Sequence, residues 1–232
     1  MVSNVPSAAA VRSVSRLLSP ATRDPKRVLR SGLLIAFTSV ALLAVAQAVD
    51  FGAFNLDISW LDADHRLSVF AIASLLAQAA TAAASIGRGY VAAQRRTAWF
   101  ALGALVGALV VIRGLTMFNA SVLAVPLLCV FVLLSLLTWS NKTSRTTVWA
   151  ALLLLAVSLL LHKVGLDADS SPASDYTWAY QLVGIVKHGT ELAGWTLTAT
   201  GIAAGTAASG PPRQMAASPQ PGSAVGISPS SD

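Results

Sequence analysis

The sequence is poor in charge and in cysteine. Only 11% of its 232 residues are charged, whereas a soluble domain usually carries ~25%. Its single cysteine, Cys129, excludes a fold stapled by internal disulfides. Lys and Arg outnumber Asp and Glu by 16 to 10, but long apolar runs separate the basic residues, and nucleic acid requires a clustered basic surface. We therefore expect no nucleic-acid partner.

Hydrophobic residues dominate instead, at 55% of the chain with a mean hydropathy of +0.66. A helix needs ~20 apolar residues to cross a bilayer, and barrel strands alternate in a way that these Leu/Ala/Val runs do not. The sequence predicts an all-α class, a polytopic transmembrane helix bundle of about six helices in contact with the lipid bilayer. The apolar segments lie at about residues 32–49, 67–86, 97–118, 121–139, 147–163 and 177–205.

The distribution of charge predicts an orientation. Most Lys and Arg residues flank the segments on one side, and most Asp residues lie on the other. By the positive-inside rule we expect both termini to be cytoplasmic. We expect a basic N-terminal segment at 1–30, a transmembrane domain at 31–205 and a disordered cytoplasmic tail at 206–232. A cleaved signal is an alternative, although the charged region before its apolar run is longer than usual.

Several ionisable residues lie within the apolar segments, where each costs at least ~2.5 kcal/mol on insertion. In segment six, Lys187 and Glu191 are one turn apart and can pair. Together with residues near the outer ends of segments three and five, they are expected to form one polar layer in the outer half of the bundle. The candidate ligand-binding residues are Arg113, His162, Lys163, Lys187, His188 and Glu191.

This polar layer has two interpretations. It forms a pocket for an anionic lipid or a small anion, with Arg113 as the donor, or Arg113 and Lys163 extend outward to pair with loop aspartates. His162 and His188 at similar depth suggest haem or metal ligation, but two histidines without a repeated pair give little support. The sequence therefore predicts no metal and no cofactor.

Small residues form stripes at helical spacing, as they do where membrane helices pack closely. The predicted helix-packing residues are Gly103, Gly107, Gly194, Gly201 and Gly205. A second stripe in segment two comprises Ser74, Gln78, Thr81 and Ser85. It serves either as a packing surface or as the wall of a hydrated cavity.

Motifs typical of enzymes are missing: there is no GxSxG elbow, HExxH helix, Walker loop or dinucleotide fingerprint. The sequence therefore favours a non-catalytic accessory or scaffold subunit of a cell-envelope complex, with another membrane protein as its partner. The alternative is a small transporter or lipid-handling protein with an outer-half polar pocket around Arg113, Lys187 and Glu191.

The last segment contains the motif Lys-His-Gly-Thr-Glu-Leu-Ala-Gly-Trp at 187–195, and the chain uses 12 Arg against 4 Lys. With the basic leader and the acidic first outer loop, this layout resembles a group of uncharacterised multi-pass inner-membrane proteins of actinobacteria. The resemblance implies a multi-pass fold and a location in the bacterial inner (plasma) membrane, and it carries over no functional residue.

Overall fold

Six helices make up the described part of the chain. The computed structural model describes residues 24–54, 58, 60–61, 68–115, 120–139, 142–168 and 177–208. These ranges contain no strand, which confirms the prediction of an all-α bundle of about six helices. The helices are α1 (Pro25–Phe54), α2 (Val69–Val91), α3 (Arg96–Leu115), α4 (Ala120–Thr138), α5 (Lys142–Ala168) and α6 (Trp178–Ala208).

Four helices are long and apolar enough to cross a membrane: α1, α2, α3 and the Ser144–His162 part of α5. The apolar part of α4, Val125–Thr138, is shorter. Apolar side chains such as Phe37 and Leu34 point outward from the bundle, where lipid rather than water surrounds them. The chain is therefore an integral membrane protein.

Helix α6 lies at the centre of the packing, against α1, α2 and α5. Sixteen of its 31 residues are buried, against five of 30 in α1. Because protein rather than lipid covers most of α6, it can carry Thr, Gly, His and Glu side chains in place of a uniformly apolar surface. This explains how α6 belongs inside the bundle although it is not one of the four helices that are apolar enough to cross a membrane.

Five helices, α2 to α6, form a ring. Helices α2, α3, α4 and α5 are neighbours in chain order, and α6 closes the ring by packing against α2 and α5. Helix α1 packs antiparallel to α6, because the Gln47 amide bonds Gln181 and the Phe51 ring meets Trp178 edge-on at 4.5 Å. The ring therefore surrounds a space to which α1 contributes no side chain.

The described ends of the chain, near Pro25 and Ala208, lie at the same end of the bundle, since Gly32 abuts Thr200. Two arginines at this end bond the last turns of other helices. Arg88 donates to the Gly205 carbonyl at 3.0 Å and Arg95 to the Leu136 carbonyl at 2.7 Å. Carbonyls at helix C-termini have no partner within the helix, so these arginines act as caps.

The predicted domains extend beyond the residues that the structure describes. Most of the basic segment, residues 1–23, and the tail from 209 to 232 lie outside the described residues. Helix α1 already begins at Pro25, within the predicted basic segment, and α6 continues to Ala208.

Candidate functional site

An ion pair between two helices forms the core of the site. Arg113, in the last turn of α3, donates from Nη1 to Oε1 of Glu191 and from Nη2 to Oε2 at 3.1 Å. The two side chains are only 12% and 8% exposed. Two-point pairing of a guanidinium with a carboxylate is among the stronger hydrogen-bonded arrangements in proteins. Each group thus compensates the charge of the other inside the bundle.

The amide of Gln78 on α2 adds a third contact. With its oxygen turned towards the donors, the amide accepts from Trp195 Nε1 at 2.9 Å and from Arg113 Nη1 at 3.3 Å. This orientation satisfies all three groups, whereas the opposite one places the amide nitrogen against donors. Gln78 and Trp195 thereby connect α2 and α6 to the ion pair.

Two histidines adjoin the same carboxylate. His162 of α5 has Nε2 3.9 Å from Glu191 Oε2. The ring of His188, one turn before Glu191 on α6, is perpendicular to that of His162, with centroids 5.6 Å apart. Phe70 of α2 lies 6.1 Å from His188, centroid to centroid. One possible ligand atom from each of His162, His188 and Glu191 lies within 4.8 Å of the other two.

A cavity of about 40 Å³ opens beside these groups, enclosed by α2 to α6. Gln78, Arg113, His162 and Glu191 give it a polar wall. Because one water needs ~10–15 Å³, the cavity has room for about three or four waters or for a small ion. It is far below the ~300 Å³ of pockets for drug-sized ligands. The apolar wall comprises Leu109, Leu127, Phe131, Leu155 and Leu159.

The structure therefore brings together four of the six candidate ligand-binding residues: Arg113, His162, His188 and Glu191. The partner of Glu191 is Arg113 rather than Lys187. The Lys187 carbonyl accepts from the hydroxyl of Ser158 at 2.9 Å. The side chain of Lys163 lies outside the described residues.

The guanidinium of Arg113 pairs with Glu191 inside the bundle. The loop aspartates at 57, 62, 64, 169 and 175, its partners in the other interpretation, lie outside the described residues. On α6, Glu191 is the fourteenth of 31 residues, so it lies ~3 Å from the midpoint of that helix. On α3 the same ion pair lies in the last turn, at Arg113.

The residues of the polar stripe on α2 have two different roles, since some form a packing surface and one lines the cavity. Ser74, Thr81 and Ser85 are buried, and the Thr81 hydroxyl lies 3.1 Å from the Trp195 carbonyl of α6. These residues pack α2 against its neighbours. Gln78 alone among the four lines the cavity. The sequence pattern could not single it out, because all four share one face.

The glycines differ in their surroundings. An added Cβ would lie 2.6 Å from a neighbouring side chain at Gly103 and Gly194, and 2.8 Å at Gly201. Gly205 is buried and its carbonyl accepts from Arg88. A Cβ at Gly107 would meet nothing within 4 Å. Close approach between helices therefore occurs at the first three positions and not at Gly107.

No protein-family model, curated protein or solved structure matches the chain. The function has to be argued from the site.

Proposed function

We propose that this integral membrane protein transports protons or a small inorganic ion through the cavity beside Arg113 and Glu191, which we call the chamber. The observation that carries the proposal is a cavity with room for a few waters, lined by ionisable side chains between the middle of α6 and the last turn of α3. Ionisable groups inside a membrane protein are costly, and they typically mark ion pathways or proton relays.

The size and charge of the chamber limit which solutes it can accept. At about 40 Å³ it excludes a lipid headgroup. The charge of Arg113 is compensated by Glu191, so an anion would have to displace the carboxylate. Histidine exchanges protons near neutral pH, and His162 faces the same carboxylate. These features favour a proton or a small cation.

Liposomes containing the purified protein and a pH-sensitive dye test the proposal. With an imposed membrane potential, we expect proton entry above that of protein-free liposomes. Glu191 is the only glutamate of the chain, and Glu191→Gln should reduce entry to background. Asp50→Asn is the matched control, because Asp50 is a buried acid of α1, outside the chamber.

Two outcomes contradict the proposal. One is a flux that Glu191→Gln leaves unchanged while the protein reconstitutes normally. The other is a wild-type protein that moves none of protons, alkali cations and divalent cations.

A second candidate function is an accessory or scaffold subunit of a cell-envelope complex. It is favoured by Gly107 and Gly114, two turns apart on α3, where an added Cβ would meet nothing within 4 Å. Such a strip of small residues fits the close approach of another membrane helix. Native mass spectrometry of protein extracted from its own membrane should then detect a second polypeptide at fixed stoichiometry, lost in Gly107→Leu. Detection of this chain alone contradicts that function.

The proposal includes a bacterial inner membrane with both termini in the cytoplasm. It is supported by the Lys and Arg residues at the end of the bundle where the described chain begins and ends, among them Arg88 and Arg95.

A further inference from the structure

We propose that His162, His188 and Glu191 bind a divalent transition-metal ion of the Zn²⁺ class. The inference rests on the proposed function, since it names the small ion that the chamber takes. Its starting point is the clustering of two imidazoles and one carboxylate, with one possible ligand atom from each within 4.8 Å of the others.

The distances are close to those of a metal site. Zinc–nitrogen and zinc–oxygen bonds are ~2.0–2.2 Å long in tetrahedral sites, which sets ligand atoms ~3.3 Å apart. The 3.9 Å between His162 Nε2 and Glu191 Oε2 is slightly longer than this, and the three ligand atoms all lie within 4.8 Å of one another. Binding a common ion therefore requires pairs of ligand atoms to close by up to ~1.5 Å through changes in side-chain rotamer.

The backbone favours this arrangement. His188 and Glu191 are three residues apart on α6 and therefore share a face. Metal-binding helix bundles use an i,i+3 pair of these residue types in the opposite order, Glu-x-x-His. His162 comes from α5, which is joined to α6 one turn away by the hydrogen bond from Ser158 to the Lys187 carbonyl at 2.9 Å.

The donor set selects the class of ion. Two imidazoles and one carboxylate suit Zn²⁺, Co²⁺ and Fe²⁺. Calcium takes six to eight oxygen ligands, and magnesium prefers an octahedron of oxygens. His162 and Glu191 also line the cavity, which gives a fourth ligand, water, the space that it needs.

Arg113 completes the arrangement around the carboxylate. Carboxylates that bind metals are normally hydrogen-bonded by a further protein group, and Arg113 already bonds Glu191 in this way. Oε2 also faces His162, and its second lone pair can bind the ion. The positive charge of Arg113 weakens cation binding by repulsion. The site is therefore suited to an exchangeable ion rather than to a permanent structural one.

Titration of the purified full-length protein with Co²⁺ tests the inference, because visible absorption reports the coordination of this ion. We expect one Co²⁺ per chain, displaced by Zn²⁺. Loss of an outer-shell partner already costs ~10–100-fold in affinity, so His162→Ala and His188→Ala should each cost on the order of 100-fold or more. His65→Ala and Cys129→Ser, which remove the third histidine and the only cysteine, should leave the titration unchanged.

Folding of each variant is checked by gel filtration and circular dichroism, and His162→Gln, which keeps a polar side chain, replaces any alanine variant that fails. Absence of Co²⁺ absorption in the wild type overturns the inference. So does an unchanged affinity in folded variants of His162 and His188, or binding that depends on His65 or Cys129. Proton flux without metal binding overturns this inference alone. Metal binding without flux of any solute overturns the proposed function and leaves the site standing.

Discussion

Arg113 and Glu191 bind each other at two points although 78 residues separate them in the sequence. Their helices, α3 and α6, face each other across the chamber, so the pair is also a bridge between two of its walls. Contact with lipid does not explain why Glu191 lies inside the bundle or why the side chain of Arg113 points into it. The pair thus links the stability of the bundle to the chemistry of its cavity.

Breaking this ion pair from one side should be more harmful than removing it altogether. Arg113→Leu and Glu191→Leu should each lower the free energy of unfolding by ~3–5 kcal/mol, because each leaves the other charge buried. The double variant should lose less than the sum. Denaturant unfolding in detergent measures this cycle. The Lys187/Glu191 cycle is the matched control and should be nearly additive, because the carboxylate contacts Arg113. Additivity in the Arg113/Glu191 cycle contradicts the coupling.

The glycines offer a second comparison. Gly194→Ala places a methyl group 2.6 Å from Leu155 and 3.1 Å from the Ala151 carbonyl, and we expect a loss of ~1–3 kcal/mol from overpacking. Gly107→Ala meets no atom within 4 Å and should be neutral or stabilise the helix by up to ~1 kcal/mol. Thermal unfolding of both variants measures the difference. Equal effects would show that α5 and α6 do not approach as closely as described.

Arg88 should hold the last turn of α6 in place. Arg88→Gln removes the donor to the Gly205 carbonyl and the cation above the Trp99 ring. Since a hydrogen bond from a charged group contributes ~1.5–3 kcal/mol, hydrogen exchange at the end of α6 should accelerate about tenfold or more. Arg96→Gln, which removes an exposed arginine stacked on Phe100, should not change exchange there. Unchanged protection in Arg88→Gln refutes the capping role.

The orientation of the bundle can be measured with single cysteines in a Cys129→Ser background. Thr177 and Ala208 are exposed residues at the beginning and end of α6. If Lys and Arg lie on the cytoplasmic side, an impermeant maleimide should label Thr177→Cys in right-side-out vesicles. It should label Ala208→Cys only after the vesicles are opened. The reverse pattern would place both termini outside.

Hydropathy was sufficient to predict the six helices but not their limits. The first apolar segment begins near residue 32, whereas α1 begins at Pro25. Helical hydrogen bonding continues through Arg27 and Arg30, whereas hydropathy detects only the apolar part of a helix. The central position of α6 was also hidden, since apolarity along one segment does not reveal which neighbours cover it.

The sequence predicts which residues belong to the site better than it predicts the contacts between them. His188 and Glu191 stand out in sequence as ionisable residues within an apolar segment, but the partner of Glu191 depends on how separate helices pack. Lys187 is the nearest cation along the chain, and Arg113 is the nearest in space. Gln78 was predicted only as one of four residues on one face of α2, and its place in the cavity wall depends on how the helices pack.

The bridge across the chamber also imposes an order on biosynthesis. Glu191 is translated 78 residues after Arg113, a delay of roughly 4–16 s at ~5–20 residues per second. During that interval α3 must leave the ribosome carrying a cation whose anion does not yet exist. Helix α6 then supplies the carboxylate and the remaining wall together. The nascent protein therefore acquires its chamber in one late step, and a variant lacking Glu191 should remain longer at the insertion machinery.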